Sequence, residues 1–261
     1  LEGEKEMKIA VSGKGGVGKT TLSSLLARYW ARRGYRVLAV DADPDANLGS
    51  ALGIETAGIT PIAKMEDLIH ERTGTRPGTV GGFFKMNPRV DDLPDALSKE
   101  KDGVRLLVMG TVKKGGGGCI CPESVLLKAL INHLVLYQKD LVIMDMEAGI
   151  EHLGRGTAQG VDRLVIVVEP GRRSLETASK VRQLTADIGL SRVVAVGSKV
   201  HDASEAEYLE KNLDGIPLIG ILPYSREIAA ADLENRPPSL DDPLILSAIE
   251  EIAHALEQDQ A

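Results

Sequence analysis

The chain is nearly without cysteine. Cys119 and Cys121 are the only two in 261 residues, too few for a disulfide framework. One residue apart, they are also too close to reach disulfide geometry without straining the loop between them. They read instead as thiols or metal ligands. No apolar run is long enough to cross a bilayer, and no charged-then-apolar signal segment opens the sequence. A soluble, cytoplasmic protein is therefore expected. Positive charge is not in excess: 31 Lys and Arg stand against 38 Asp and Glu, a formal charge of −7. Broad affinity for nucleic acid or an anionic membrane needs a positive face, so neither is expected as a partner. No internal repeat, low-complexity tail or domain boundary is visible.

What is present is a core-forming composition, 43% hydrophobic, arranged in short apolar runs that alternate with helical patterns. Strands are predicted at 8–12, 35–41, 104–110, 140–145, 163–169, 192–198 and 217–222. The runs are apolar on both faces, as strands covered by helices on each side must be. Helices are predicted at about 19–33, 122–137, 173–188, 204–213 and 243–257, with a short one near 62–72. This alternation gives an α/β fold, a doubly wound and mostly parallel sheet, with ligands beyond the carboxyl ends of the strands. The Gly- and Pro-rich stretch within 55–103 reads as an excursion from the sheet. Residues 7–258 are expected to form one domain. Residues 1–6, "LEGEKE", are polar, precede Met7, and are set aside as an expression remnant or a divergent start.

Gly13 to Thr20, "GKGGVGKT", has the spacing G-x-x-x-x-G-K-[ST] and lies between a predicted strand and a predicted helix, where that motif must lie. Its glycines allow several backbone N–H groups to face one anion, and the helix N-terminus adds partial positive charge. Lys19 is expected to reach the β and γ phosphates of a nucleotide. The Thr20 hydroxyl is expected to ligate Mg²⁺.

Lys14 adds a second lysine to the loop, and "KGGVGKTT" resembles the deviant Walker A loop of the MinD/ParA/nitrogenase-iron-protein group of dimeric ATPases. The resemblance implies a P-loop ATPase domain and a homodimer in which Lys14 reaches the partner's nucleotide. It also implies a nucleotide-binding set of Gly13, Lys14, Gly15, Gly16, Val17, Gly18, Lys19, Thr20 and Thr21. Within "DADPDANLG", Asp43 matches the aspartate that orients the attacking water, while Asp41 and Asp45 read equally as turn caps. Asp145 ends the run "LVIMD" at the position of the Mg²⁺ carboxylate, so Thr20, Asp43 and Asp145 are the expected Mg²⁺ set. The catalytic residues implied are Lys14, Lys19 and Asp43. ATP is favoured over GTP, because "GSKVHD" keeps only Ser198-Lys199 of an N-K-x-D motif and places Asp202 one residue too far. "LPYSREI" (222–228) is similar to the family's second base-side loop.

In an extended segment residues i and i+2 share a face, so Cys119 and Cys121 can present two thiolates to one point. On spacing alone they read as well as two incidental loop cysteines. A dimeric ATPase with this C-x-C, and with "DMEAGIEHLGRGT" at 145–157, resembles the CooC-type nickel-insertion ATPases. That resemblance implies a Ni²⁺ or Zn²⁺ site made by four cysteines from two chains. It also implies a client nickel enzyme, carbon monoxide dehydrogenase or acetyl-CoA synthase. The competing readings are a MinD/ParA-like partitioning or positioning ATPase and an iron-sulfur electron carrier like the nitrogenase iron protein. His152, Arg172, Arg173, Lys113 and Lys114 read as solvated surface residues.

Overall fold

The computed structural model describes residues 6–79, 83–111, 121–147, 153 and 159–258. Its frame is one eight-stranded sheet: β1 (Met7–Ser12), β2 (Val37–Ala42), β3 (Lys99–Lys101), β4 (Val104–Val108), β5 (Leu141–Met146), β6 (Arg163–Val168), β7 (Val193–Val200) and β8 (Leu218–Pro223). The spatial order is β3-β4-β2-β5-β1-β6-β7-β8. Every pairing is parallel except β3 with β4. Seven strands coincide with the predicted runs. The eighth, β3, escaped prediction because its three residues are charged and exposed and carry no apolar signal. An edge strand of this kind, short and lysine-bearing, also discourages pairing with another chain.

Alternate residues along each strand feed two separate apolar layers. On one side, Ile9, Val11, Ala39, Ile143, Val165 and Val196 pack under α1 (Lys19–Arg32) and α9 (Pro243–Gln258). On the other, Ala10, Val40, Met144, Ile166 and Ala195 pack under α3 (Glu66–Thr73), α5 (Pro122–Leu136), α6 (Arg172–Ile188) and α7 (Ala203–Asn212). Burial of the central strands on both faces explains why they read as continuous apolar runs.

The stretch predicted as an excursion holds α2 (Leu48–Leu52), a 3-10 turn (Ile62–Lys64), α3 and α4 (Leu93–Leu97) before the chain re-enters the sheet. The helix expected near 62–72 is therefore two pieces. α8 (Arg226–Leu233) forms where only a loop was anticipated, started by Ser225, whose Oγ accepts from the Glu227 and Ile228 N–H groups. Among the described residues, no helix is long and apolar enough to cross a membrane.

Candidate active site

Parallel strands point their carboxyl ends at one edge of the sheet, and the site is built there from β1, β2 and β5, which are neighbours. After Ser12 the backbone turns at Gly13, with φ +146. A Cβ at Gly13 would run into the Val167 carbonyl of β6, so no other residue fits. Gly18, at φ +99, brings the loop against Ser198, whose Oγ would lie 3.0 Å from an added Cβ. Val17 is fully buried beneath the loop and anchors it in the α1-side core. α1 then begins at Lys19, which is buried and reaches back to the Lys14 carbonyl at 3.5 Å.

Asp145, at the end of β5, accepts a hydrogen bond from the Thr20 hydroxyl at 2.6 Å through Oδ2. Its Oδ1 is buried and, among the described residues, has no hydrogen-bond partner. Burial pushes this carboxyl up to about 7; the Thr20 bond opposes the shift and the Asp41 charge adds to it. Asp41 stands beside Asp145 in the strand register and is equally buried. It accepts from the Leu48 N–H (2.9 Å) and the Asp43 N–H (3.3 Å) and is pushed up to about 6, chiefly by burial. Asp43 in turn accepts from the Asp45 N–H at 3.0 Å. Asp41 is thus a clamp: it caps the turn into α2 and fixes the segment that carries Asp43.

Thr20, Asp43 and Asp45 line a cleft of about 810 Å³, and Asp41 and Asp145 are buried beside them. Gly15, Gly16, Gly18, Lys19, Thr20, Thr21, Asp43 and Glu147 form one end; Leu222, Tyr224, Ile228, Ala231, Asn235 and Arg236 form the other. The first end offers backbone N–H groups, a buried ammonium and a helix N-terminus, the requirements of a polyphosphate site. The second is a more apolar wall made by the end of β8 and by α8. It includes the anticipated base-side stretch 222–228 and extends beyond it. Arg236 is held there by Glu227 (2.6 and 2.9 Å) and Glu234 (2.6 Å), and Glu227 is lowered to about 2, first by its bond to Arg236. Tyr224 stacks on His201 with ring centroids 4.7 Å apart. The Thr20 hydroxyl with the Asp145 carboxylate, all hard oxygen donors and one of them orphaned, fits Mg²⁺.

Of the other predicted residues, Lys14, Asp202 and Cys121 do not line the cleft. The Lys14 ammonium faces Glu169 Oε1 at 3.4 Å. Asp202 is not a base-reading group, because its Oδ1 accepts from the N–H groups of Ser204 (2.9 Å) and Glu205 (3.1 Å) and caps α7. Ser198 and Lys199 do line the cleft. Cys121 precedes α5 with an extended backbone (φ −110, ψ 155), and its Sγ is 2.9 Å from Ser124 Oγ. Cys119 and His152 lie outside the described residues. Among the described residues, no three His, Cys, Asp or Glu side chains group as metal ligands. Glu147, Lys199, Asn235 and Arg236 were not anticipated as cleft residues. Only Lys199 carried a signal, as the relic of an N-K-x-D pattern.

Fold and site together define a P-loop protein that binds a nucleoside triphosphate at the carboxyl edge of a parallel sheet. Residues 8–238 match the CobQ/CobB/MinD/ParA nucleotide binding domain, and the chain belongs to that family and, within it, to the CooC-type ATPases. It is 46% identical over 229 residues, 87% of either chain, to the carbon monoxide dehydrogenase accessory protein CooC of Rhodospirillum rubrum. It is 44% identical over 238 residues to an uncharacterized ATP-binding protein of Methanocaldococcus jannaschii, covering 90% of this chain and 92% of that one. Among solved structures, septum site-determining protein MinD from Pyrococcus horikoshii, complexed with Mg-ADP, superposes with a TM-score of 0.68 over 97% of each chain. At 20% identity, that likeness speaks to the fold alone.

Proposed function

We propose that this chain is an ATP-driven accessory protein in the maturation of a nickel enzyme, carbon monoxide dehydrogenase or acetyl-CoA synthase, acting as a homodimer that carries the metal ion as cargo. The observation that carries the reading is the 46% identity to the Rhodospirillum rubrum accessory protein CooC, in a chain whose only two cysteines are spaced C-x-C.

The loop Gly13–Thr21 cradles the polyphosphate with backbone N–H groups, and Lys19 neutralises its charge. Thr20 and Asp145 would hold Mg²⁺, with Asp43 as the third residue expected from the sequence, and the ion would supply positive charge to the oxygens of the γ-phosphoryl group. Asp43, fixed by Asp41, orients the attacking water. Lys14 serves the partner's nucleotide, so that ATP joins two chains. Closure brings Cys119 and Cys121 of each chain together, and the four thiolates hold one Ni²⁺ or Zn²⁺. Hydrolysis separates the chains and releases the metal to the client.

A partitioning or positioning ATPase is the second reading, and α9 offers it no membrane-seeking face. α9 has no Lys or Arg and spends its apolar face, Ile245, Ile249, Ile252 and Leu256, on the core rather than on a membrane. The deciding measurement is metal content per dimer with and without a non-hydrolysable ATP analogue. One ion per dimer is expected, lost almost wholly in either Cys119→Ser or Cys121→Ser, because each removes two of four ligands. Tight binding that survives the double serine variant would refute the cysteine site. In sedimentation with the same analogue, Lys14→Ala should weaken ATP-dependent dimerisation.

A further inference from the structure

Glu169, the residue after β6, stands between two lysines. Its Oε1 is 3.4 Å from Lys14 Nζ, and its Oε2 is 3.9 Å from Lys199 Nζ. Lys199 Nζ also donates to the Gly16 carbonyl at 2.5 Å, in the bend of the phosphate loop. One carboxylate therefore couples the second residue of that loop to the strand end that flanks it. The acid is itself held, since the Glu169 N–H donates to Ser174 Oγ (3.1 Å) in the first turn of α6. Lys199 adopts φ +58, the left-handed region that a lysine occupies only against a steric cost.

Lys14 and Gly16 belong to the expected nucleotide-binding set, whereas Glu169 does not. The side chains of Lys14, Glu169 and Lys199 are 38%, 30% and 50% exposed, so each pair is weak and can break without leaving a buried charge behind. A group tied this loosely to its own chain can be exchanged during a reaction. A tightly buried pair could not be, because separating it strands a desolvated charge.

We propose that Glu169 is a positioning residue that holds Lys14 against its own chain, and that Lys199 keeps Glu169 paired once Lys14 has left. The inference rests on the reading that Lys14 acts across a dimer interface. Lys14 then has two alternative partners, Glu169 in the free chain and the phosphates of the other chain's nucleotide in the dimer. An exposed pair is worth up to about fivefold in an equilibrium. Both Lys14 residues leave when one dimer forms, so the two effects multiply, to at most about 25-fold. Lys199 has the opposite sign. With it present, the departure of Lys14 leaves Glu169 still facing a cation; without it, Glu169 is left alone and holds Lys14 harder.

Sedimentation of the full chain with a saturating non-hydrolysable ATP analogue tests this, with thermal unfolding confirming that each variant is folded. Glu169→Gln keeps the side-chain shape, removes the charge, and should strengthen dimerisation about 2- to 25-fold. Lys199→Met should weaken dimerisation, and only while Glu169 is present, so Glu169→Gln combined with Lys199→Met should match Glu169→Gln alone. The gain in Glu169→Gln should vanish in a Lys14→Ala background, which a merely structural role for Glu169 would not produce. Dimerisation unchanged or weakened in Glu169→Gln, while Lys14→Ala still weakens it, overturns this inference and leaves the trans lysine standing. A gain that persists in the Lys14→Ala background also overturns it. If Lys14→Ala dimerises like wild type, the trans role falls, and the holding role with it.

Discussion

The buried carboxylates at the sheet edge should make the metal-free protein lose stability as pH rises, and one substitution should reverse that. Asp145 is pushed from 3.8 up to about 7 in the folded chain, and Asp41 up to about 6. Unfolded, both ionise near 4. Between those limits the folded chain keeps protons that the unfolded chain has released, so the unfolding free energy falls with rising pH. The stability tied to the protonated Asp145 is present in full below about pH 4 and is lost by about pH 7. At about 1.36 kcal/mol per pH unit, the interval from 3.8 to about 7 is worth roughly 4 kcal/mol. That is a large share of the 5–15 kcal/mol or so that typically holds a domain folded. Asp145→Asn removes the charge and leaves an oxygen to accept the Thr20 hydroxyl, which lies at 2.6 Å from the native carboxylate. In EDTA at about pH 8 the variant should be more stable than wild type by about 2–4 kcal/mol, or about 5–10 °C in melting temperature. At about pH 5 roughly a third of the difference should remain, and by about pH 4 it should shrink towards nothing. Mg²⁺ with nucleotide should then remove the variant's advantage: wild type gains about 4.1 kcal/mol at a thousandfold excess over Kd, and the variant gains little. Thermal unfolding followed by circular dichroism across this pH range, with and without Mg²⁺-nucleotide, reads all of it. A metal-free wild type whose stability is flat or rises from about pH 5 to about pH 8 would refute the reasoning, as would an Asp145→Asn protein less stable than wild type at the upper end.

Three further variants concern the phosphate loop and the acid proposed to orient water. Gly13→Ala places a methyl group on the Val167 carbonyl at a left-handed backbone position. It should cost the loop about 2–4 kcal/mol and lower nucleotide affinity at least about tenfold, with the far-ultraviolet spectrum retained. A fluorescent-nucleotide titration checks it. Lys19→Ala should lose nucleotide affinity, whereas Asp43→Ala should keep binding and lose hydrolysis. Equal ATPase rates in Asp43→Ala and wild type would remove Asp43 from the mechanism.

Strands buried on both faces announce themselves as apolar runs, which is why β1, β2 and β4 to β8 were legible from the sequence. β3 was not, because Lys99, Glu100 and Lys101 are all exposed and their pairing with β4 is set by geometry rather than by composition. α8 was missed for a different reason. Its eight residues follow Pro223 closely and look like a loop, yet Ser225 is a helix cap, and that local signal was there to be read. The residues of the cleft's far end, Asn235 and Arg236, carry no motif. They are brought there by the turn after α8 and by the ion pair of Arg236 with Glu227, nine residues earlier.

At the site, legibility followed how local the chemistry is. The phosphate loop is one continuous stretch with a fixed spacing, and Asp43 and Asp145 sit at strand ends where the fold class already places ligands. Glu169 and Lys199 could not be found in this way, since their partners Lys14 and Gly16 lie 155 and 183 positions away. The distances also sort these groups by commitment. Thr20 and Asp145, which serve one site within one chain, stand 2.6 Å apart with Asp145 buried. Lys14 meets its own chain only at 3.4 Å, on the surface, and a charged group left with so weak a partner next to a polyphosphate site has more to gain elsewhere. In the proposed homodimer, a second chain that brings its own triphosphate would supply that better partner, and the looseness of the Lys14–Glu169 pair would keep the exchange inexpensive.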